Sequence, residues 1–243
     1  MVRSVLKRKI LDPLRSWRAE KGAECLLIKG ARQVGKSYIV AEFGRQDYES
    51  FISIDFIGSP DLKRVFDGPI DADSIYRQIS LVVPGVRFVP GRTLLFLDEI
   101  QECPRARAAL KYLALDGRCD VVASGSLLGI RFKEEAALAS IPVGYEREVE
   151  MGPLDFEEYL WARGYGEDDI ANLREYYESL MPVPVAVNQK MMQMLREYLA
   201  VGGMPAVVDA FARTGNFAVA FDEQSRLLAS YLDDVARYAQ APQ

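Results

Sequence analysis

The sequence contains no histidine, which removes imidazole acid–base catalysis, Ser-His-Asp triads and most transition-metal sites from the chemistry open to it. Cysteine is scarce. Cys25, Cys103 and Cys119 are odd in number and widely spaced, so neither a disulfide framework nor a zinc cluster is indicated, and a reducing cytoplasm is the expected setting. No run approaches the roughly 18 apolar residues of a membrane span, and Met1–Arg18 is charged throughout, without the apolar core of a signal peptide. A basic excess is missing too: 30 Lys+Arg stand against 35 Asp+Glu, a net charge of −5 that argues against a surface coated for nucleic acid. There is no internal repeat and no low-complexity tract. Carboxylates, Lys, Arg, hydroxyls and a Mg2+ ion remain as the available chemistry.

What is present begins at Gly30–Ser37, G-A-R-Q-V-G-K-S, which fits G-x-x-x-x-G-K-[ST] at every fixed position. Gly30 and Gly35 permit backbone conformations that a side chain would forbid, so the successive N–H groups of Ala31, Arg32, Gln33 and Val34 turn inward around an anion. Lys36 adds positive charge near the β and γ phosphates of a nucleotide, and the Ser37 hydroxyl is placed to ligate Mg2+. The apolar run Glu24–Lys29 enters the loop. Tyr38, Ile39, Val40 and Phe43 form the helical stripe that leaves it, with the positive helix end aimed at the phosphates. The nucleotide-binding set is therefore Gly30 to Tyr38. The alternative is a glycine-rich surface turn.

Thr93–Gln101 reads T-L-L-F-L-D-E-I-Q, an apolar strand ending in two adjacent carboxylates. Asp98 suits Mg2+, directly or one layer behind it, and Glu99 suits the general base that polarises an attacking water; the competing reading is a polar cap on a buried strand. Asp120–Gly129, D-V-V-A-S-G-S-L-L-G, is another apolar strand, ending in hydroxyls. Ser124 and Ser126 would lie beside the carboxylates, within reach of a γ phosphate or lytic water, unless Ser-Gly-Ser is an ordinary loop.

Strands predicted at 24–29, 50–56, 93–97, 121–124 and 146–151 alternate with helical stretches, which implies a mostly parallel α/β sheet covered on both faces. Ser59-Pro60-Asp61 reads as a helix start, and helices are predicted over 73–83 and 104–115. Asp55 ends a strand on the ligand-binding edge, either near the site or as a turn former. Arg3, Lys7, Arg8, Lys9, Arg15 and Arg18, interleaved with apolar residues, predict an N-terminal amphipathic helix with a solvated basic face, or a contact for DNA or an acidic partner. After Pro153 only helical signals follow, so the expected division is 1–153 and 154–243.

These motifs, together with S-G-S-L-L, M-G-P-L-D-F-E-E-Y-L and V-G-G-M-P in this order, resemble the bacterial and archaeal AAA-family ATPases that carry a C-terminal domain of unknown function. The likeness covers nearly the whole chain. It implies a three-layer αβα P-loop NTPase core of strand order 5-1-4-3-2 followed by a helical lid. In related signal-transduction ATPases a lid Gly-x-Pro element packs its proline on adenine, which makes Pro205 the candidate adenine contact. Such proteins continue into a winged helix and a restriction-endonuclease-like domain, whereas this sequence stops at Gln243, so a fragment or truncated form is expected. Arg131 and Arg147 are the arginine-finger candidates, each of which could equally make a surface ion pair.

The expected function is Mg2+-dependent ATP binding and hydrolysis that moves the lid: Lys36 and Ser37 bind, Glu99 activates water and Ser126 senses the γ phosphate. The alternatives are a nucleotide-stabilised protein-interaction or DNA-associated module with negligible turnover alone, and a small-molecule kinase, which Asp98-Glu99 disfavours. The absence of an Asn-Lys-x-Asp pattern favours adenine over guanine. A homo-oligomer or protein partner is compatible with this reading, DNA only weakly so, and a membrane is not.

Overall fold

The computed structural model describes residues 6–20, 22–126 and 144–239. Their contacts divide them into two compact units: Lys9–Gly152, and a second that joins Leu6–Arg8 to the chain from Pro153 onward.

The first unit is built on a wholly parallel sheet in the order β2-β3-β4-β1-β5, the order that the resemblance implies. Its strands are β1 (Cys25–Gly30), β2 (Ser50–Asp55), β3 (Thr93–Asp98), β4 (Asp120–Ser126) and β5 (Glu146–Glu150). Composition predicts position within the sheet. The sequences C-L-L-I-K-G, T-L-L-F-L-D and D-V-V-A-S-G-S are buried almost throughout, as central parallel strands covered on both faces must be, whereas β5 is E-R-E-V-E and lies at an edge, half exposed.

Among the described residues four helices, α1 (Leu11–Glu20), α2 (Lys36–Asp47), α3 (Ala72–Val82) and α4 (Pro104–Asp116), complete three layers. Ile75 and Ile79 of α3 and Ala106, Leu110 and Leu113 of α4 pack with Leu27, Ile54, Leu95, Leu97 and Ala123. The alternation of strand side chains sends Leu26, Ile28, Leu94 and Phe96 to the opposite face, where α2 lies on β2, β3 and β4 with α1 beside it. Close approach there needs a glycine: a Cβ on Gly44 would stand 2.2 Å from the Phe51 ring.

Two local expectations change. The N-terminal helix is confined to Leu11–Glu20 and carries Pro13 in its first turn; extending it upstream would place that proline in a helix interior, where its ring meets the carbonyl of the preceding turn. Nor is the basic face wholly solvated. Arg8 is buried, and Arg15 and Arg18 both pair with Asp47. The segment opened by Ser59 is a 3-10 helix, Pro60–Phe66, held by bonds such as Leu62 N–H to Ser59 O (3.1 Å) with no side-chain cap from Ser59.

The second unit is helical: α5 (Phe156–Ala162), α6 (Glu167–Glu178), α7 (Val185–Val201), α8 (Pro205–Thr214) and α9 (Phe217–Ala239). Its core is Leu154, Tyr159, Val201, Val207, Val208, Phe211, Ala220 and Leu227. A capping box starts α5: the Asp155 carboxylate accepts the Glu158 N–H at 2.9 Å, and Glu158 accepts the Asp155 N–H at 3.0 Å. Glu158 also pairs with Arg8 at 3.1 Å, both side chains being buried.

Candidate nucleotide site

At the C-terminal edge of the sheet, β1 runs directly into the loop and then α2. Gly35 takes φ +95°, in the left-handed region, and Gln33 also has positive φ (64°). A Cβ on Gly30 would stand 2.2 Å from the Met151 carbonyl oxygen, so this position has room for glycine only. The Met151 N–H in turn donates to Lys29 O at 2.7 Å, which fastens the chain just beyond β5 to the last turn of β1.

Lys36, the first residue of α2, is buried and folds back across the loop, donating to the carbonyls of Gly30 (3.0 Å) and Ala31 (2.9 Å). Burial lowers its pKa from the ordinary lysine value. Glu99 and then Asp98 pull it up, and Arg32 pushes it further down. Ser37 and Tyr38 are exposed in the same helical turn, as are Ala31 and Gln33 of the loop, while Val34 is buried beneath it and Arg32 is half-buried.

The register places the other candidates in line. Asp98 ends β3, β4 lies between β3 and β1, and Ser126 pairs with Gly30. Asp98 is buried, and its Oδ1 accepts from the Ser124 hydroxyl and from the Glu99 N–H (3.1 Å). Ser124 therefore supports Asp98, while Ser126, also buried, is the β4 hydroxyl that lies beside the loop. Glu99 is half-buried in a left-handed backbone conformation (φ 55°), and its carboxylate accepts from the side-chain amide of Gln101. Sequence reasoning passed over Gln101 and Met151. The first was visible as the last letter of L-D-E-I-Q; the second acts through its backbone and leaves no compositional signal.

Asp55 pairs with Asp98 across β2 and β3, but its carboxylate closes a turn, accepting from the N–H groups of Ile57 (2.8 Å) and Gly58 (2.9 Å). Arg147 begins near the opposite end of the sheet, paired with Leu26, and binds Glu20 and Glu24. Arg131 lies outside the described residues. Pro205 belongs to the helical unit, half exposed in the first turn of α8.

For a Mg2+ ion, the fit rests on one hydroxyl (Ser37) and one carboxylate (Asp98) at the phosphate edge. Among the described residues no group of three or more Asp, Glu, Cys or His forms a cage, and Mg2+ carried by phosphates needs only such a sparse donor set.

A parallel five-stranded sheet with a glycine loop leading into a helix, and a carboxylate pair one strand removed, defines a P-loop nucleotide-binding α/β protein. The chain belongs to the AAA domain family, which matches residues 23–160; a domain of unknown function (DUF8612) matches residues 192–243. Among solved structures it is similar to the Walker-type ATPase PABY2304 of Pyrococcus abyssi, over 96% of this chain and 76% of that one, with a TM-score of 0.56 and 16% identity. It is also similar to the Aeropyrum pernix ORC2 protein in its ADPNP-ADP complexes (65% of this chain, 51% of that one, TM-score 0.44, 15% identity). The signal transduction ATPase with numerous domains PH0952 from Pyrococcus horikoshii, which has a tetratricopeptide repeat sensor, is matched over 93% of this chain but only 33% of its own (TM-score 0.45, 15% identity). No curated protein matches this chain. At such identities the likeness is one of fold. Family membership supports nucleotide binding and hydrolysis in general, and no helix among the described residues is long and apolar enough to cross a membrane.

Proposed function

We propose that the chain is a Mg2+-dependent ATPase whose nucleotide state moves the helical unit. The observation that carries this reading is the poise of Lys36: a buried ammonium that donates to the loop's own carbonyls, with Glu99 and Asp98 acting on it electrostatically. In that arrangement β and γ phosphates entering the loop take over Lys36 and the inward N–H groups of Ala31 to Ser37. The α2 N-terminus adds its dipole.

Ser37 and Asp98 would hold Mg2+, which when bound neutralises charge developing on the transferred phosphoryl group. Asp98 is kept in place by the Ser124 hydroxyl and the Glu99 N–H. Glu99 takes the proton of the attacking water, a role worth roughly 10²–10⁴ in rate, and Ser126 contacts the γ phosphate. Pro205 is the proposed adenine contact, which makes ATP the substrate in preference to GTP.

The deciding experiment is phosphate release from Mg-ATP by the chain beside Glu99→Gln, with nucleotide retention followed in the same samples. Slow turnover in the parent, with ATP retained and turnover lost in the variant, supports the proposal. Equal retention with no turnover in either identifies a nucleotide-stabilised binding module. No retention in either overturns the nucleotide site.

A further inference from the structure

Resting on the hydrolase reading above, we infer that Gln101 is a positioning residue for hydrolysis, one that holds the Glu99 carboxylate in its water-activating orientation.

The argument begins in the backbone. At the end of β3, Glu99 leaves the extended conformation for φ 55°, ψ 49°, a region that side-chain-bearing residues seldom occupy. The chain doubles back into a single 3-10 turn, Ile100–Glu102, closed by Glu102 N–H to Glu99 O at 2.9 Å. That reversal brings the Gln101 side chain back to the carboxylate of its near neighbour, and its Nε2 donates to Glu99 Oε2.

The surroundings of Gln101 separate a positioning role from a packing role. The residue is 3% exposed, and its amide oxygen finds no hydrogen-bond partner among the described residues. A buried acceptor left unsatisfied costs stability, so packing alone would be better served at this position by leucine or methionine. Among the described residues, the hydrogen bond of the buried amide is the one to Glu99. Glutamine also suits that bond chemically: glutamate here would set two negative charges against each other, and asparagine is one methylene shorter.

The consequence is preorganisation. A glutamate side chain carries three rotatable bonds and is held by packing only in part, since Glu99 is half-buried. With Oε2 occupied by the amide, Oε1 is the oxygen presented to a water. A base held in a single orientation spends no free energy on being ordered during the reaction.

The test compares the full chain with Gln101→Leu and the near-isosteric Gln101→Met. Phosphate release from Mg-ATP is measured with KM, nucleotide retention and Tm. The expected result is a kcat lowered about tenfold to a hundredfold, the range for loss of a hydrogen bond to a charged group. KM and retention stay at parental values, and Tm is unchanged or higher. Two results would overturn the inference alone: a parent that turns over with both variants matching it, or a loss of kcat accompanied by weaker ATP retention or a lower Tm. A parent that binds ATP and releases no phosphate overturns the hydrolase reading and this inference with it.

Discussion

Gly203 and Leu154 meet backbone to backbone. The Gly203 carbonyl accepts the Leu154 N–H at 2.7 Å, and a Cβ on Gly203 would stand 2.1 Å from the Leu154 carbonyl oxygen, which itself accepts the Tyr198 hydroxyl at 2.9 Å. Pro153–Phe156 and Gly202–Pro205, far apart in sequence, are thus one piece of construction: the first opens α5, the second links α7 to α8, and neither can shift without the other. Gly202 turns the chain at φ +73°, and Gly203 supplies the missing side chain.

Gly203→Ala is therefore expected to destabilise the helical unit. The clash is with backbone atoms, which cannot rotate away, so the cost falls at about 2–3 kcal/mol, read as a Tm loss of roughly 5–10 °C for a chain of this size. Gly22→Ala is the control, since a Cβ there meets nothing within 4 Å. Equal melting of the two variants would show that Leu154 and Gly203 do not interlock as described.

Gly30→Ala tests the corresponding contact in the sheet unit. The added methyl would be driven into the Met151 carbonyl at 2.2 Å, pushing apart the start of the phosphate loop and the chain beyond β5. Both Tm and retention of a fluorescent ATP analogue should fall, retention by about tenfold or more, because displacement of the loop misaligns several N–H donors at once. Loss of stability with full retention would show that the loop does not depend on this anchor.

Lys36→Met separates binding from folding. Loss of a charge-assisted contact to phosphate is expected to weaken ATP retention about tenfold to a hundredfold. The nucleotide-free protein should melt no lower than the parent, since the substitution removes a buried cation. The pH dependence follows from the same burial. A lysine whose folded pKa is depressed carries fewer protons in the folded than in the unfolded state between the two values, so this group makes stability rise with pH through that interval, below the ordinary lysine value. In Lys36→Met that rise should flatten. Denaturant titrations at alkaline pH read it, and an unchanged slope would mean that Lys36 is not desolvated in the folded state.

Much of the site was legible because its parts are local. G-A-R-Q-V-G-K-S contains its own glycines, cation and hydroxyl within one turn of chain, and T-L-L-F-L-D-E declares both a buried strand and the carboxylates at its end. Other features were beyond local reading. Arg8 sits in a run of charges that resembles a solvated face, yet it is buried against Glu158, a partner whose proximity depends on how the chain returns. Ser124 and Ser126 are equivalent as letters; sheet register gives the first to Asp98 and sets the second opposite Gly30.

The sequence by itself determined the class of protein and the edge of the sheet where the candidate residues gather, because glycine conformational freedom, strand burial and helix periodicity act over a few neighbouring residues. Tertiary structure alone decided which oxygen the more distant donors reach: the Ser124 hydroxyl that of Asp98, the Met151 N–H that of Lys29 and the Leu154 N–H that of Gly203. These depend on strand order, register and backbone reversals, which bring together groups that no spacing along the chain connects. Hydrogen bonds and close contacts change over tenths of an ångström, so their partners are set only when the whole fold is in place.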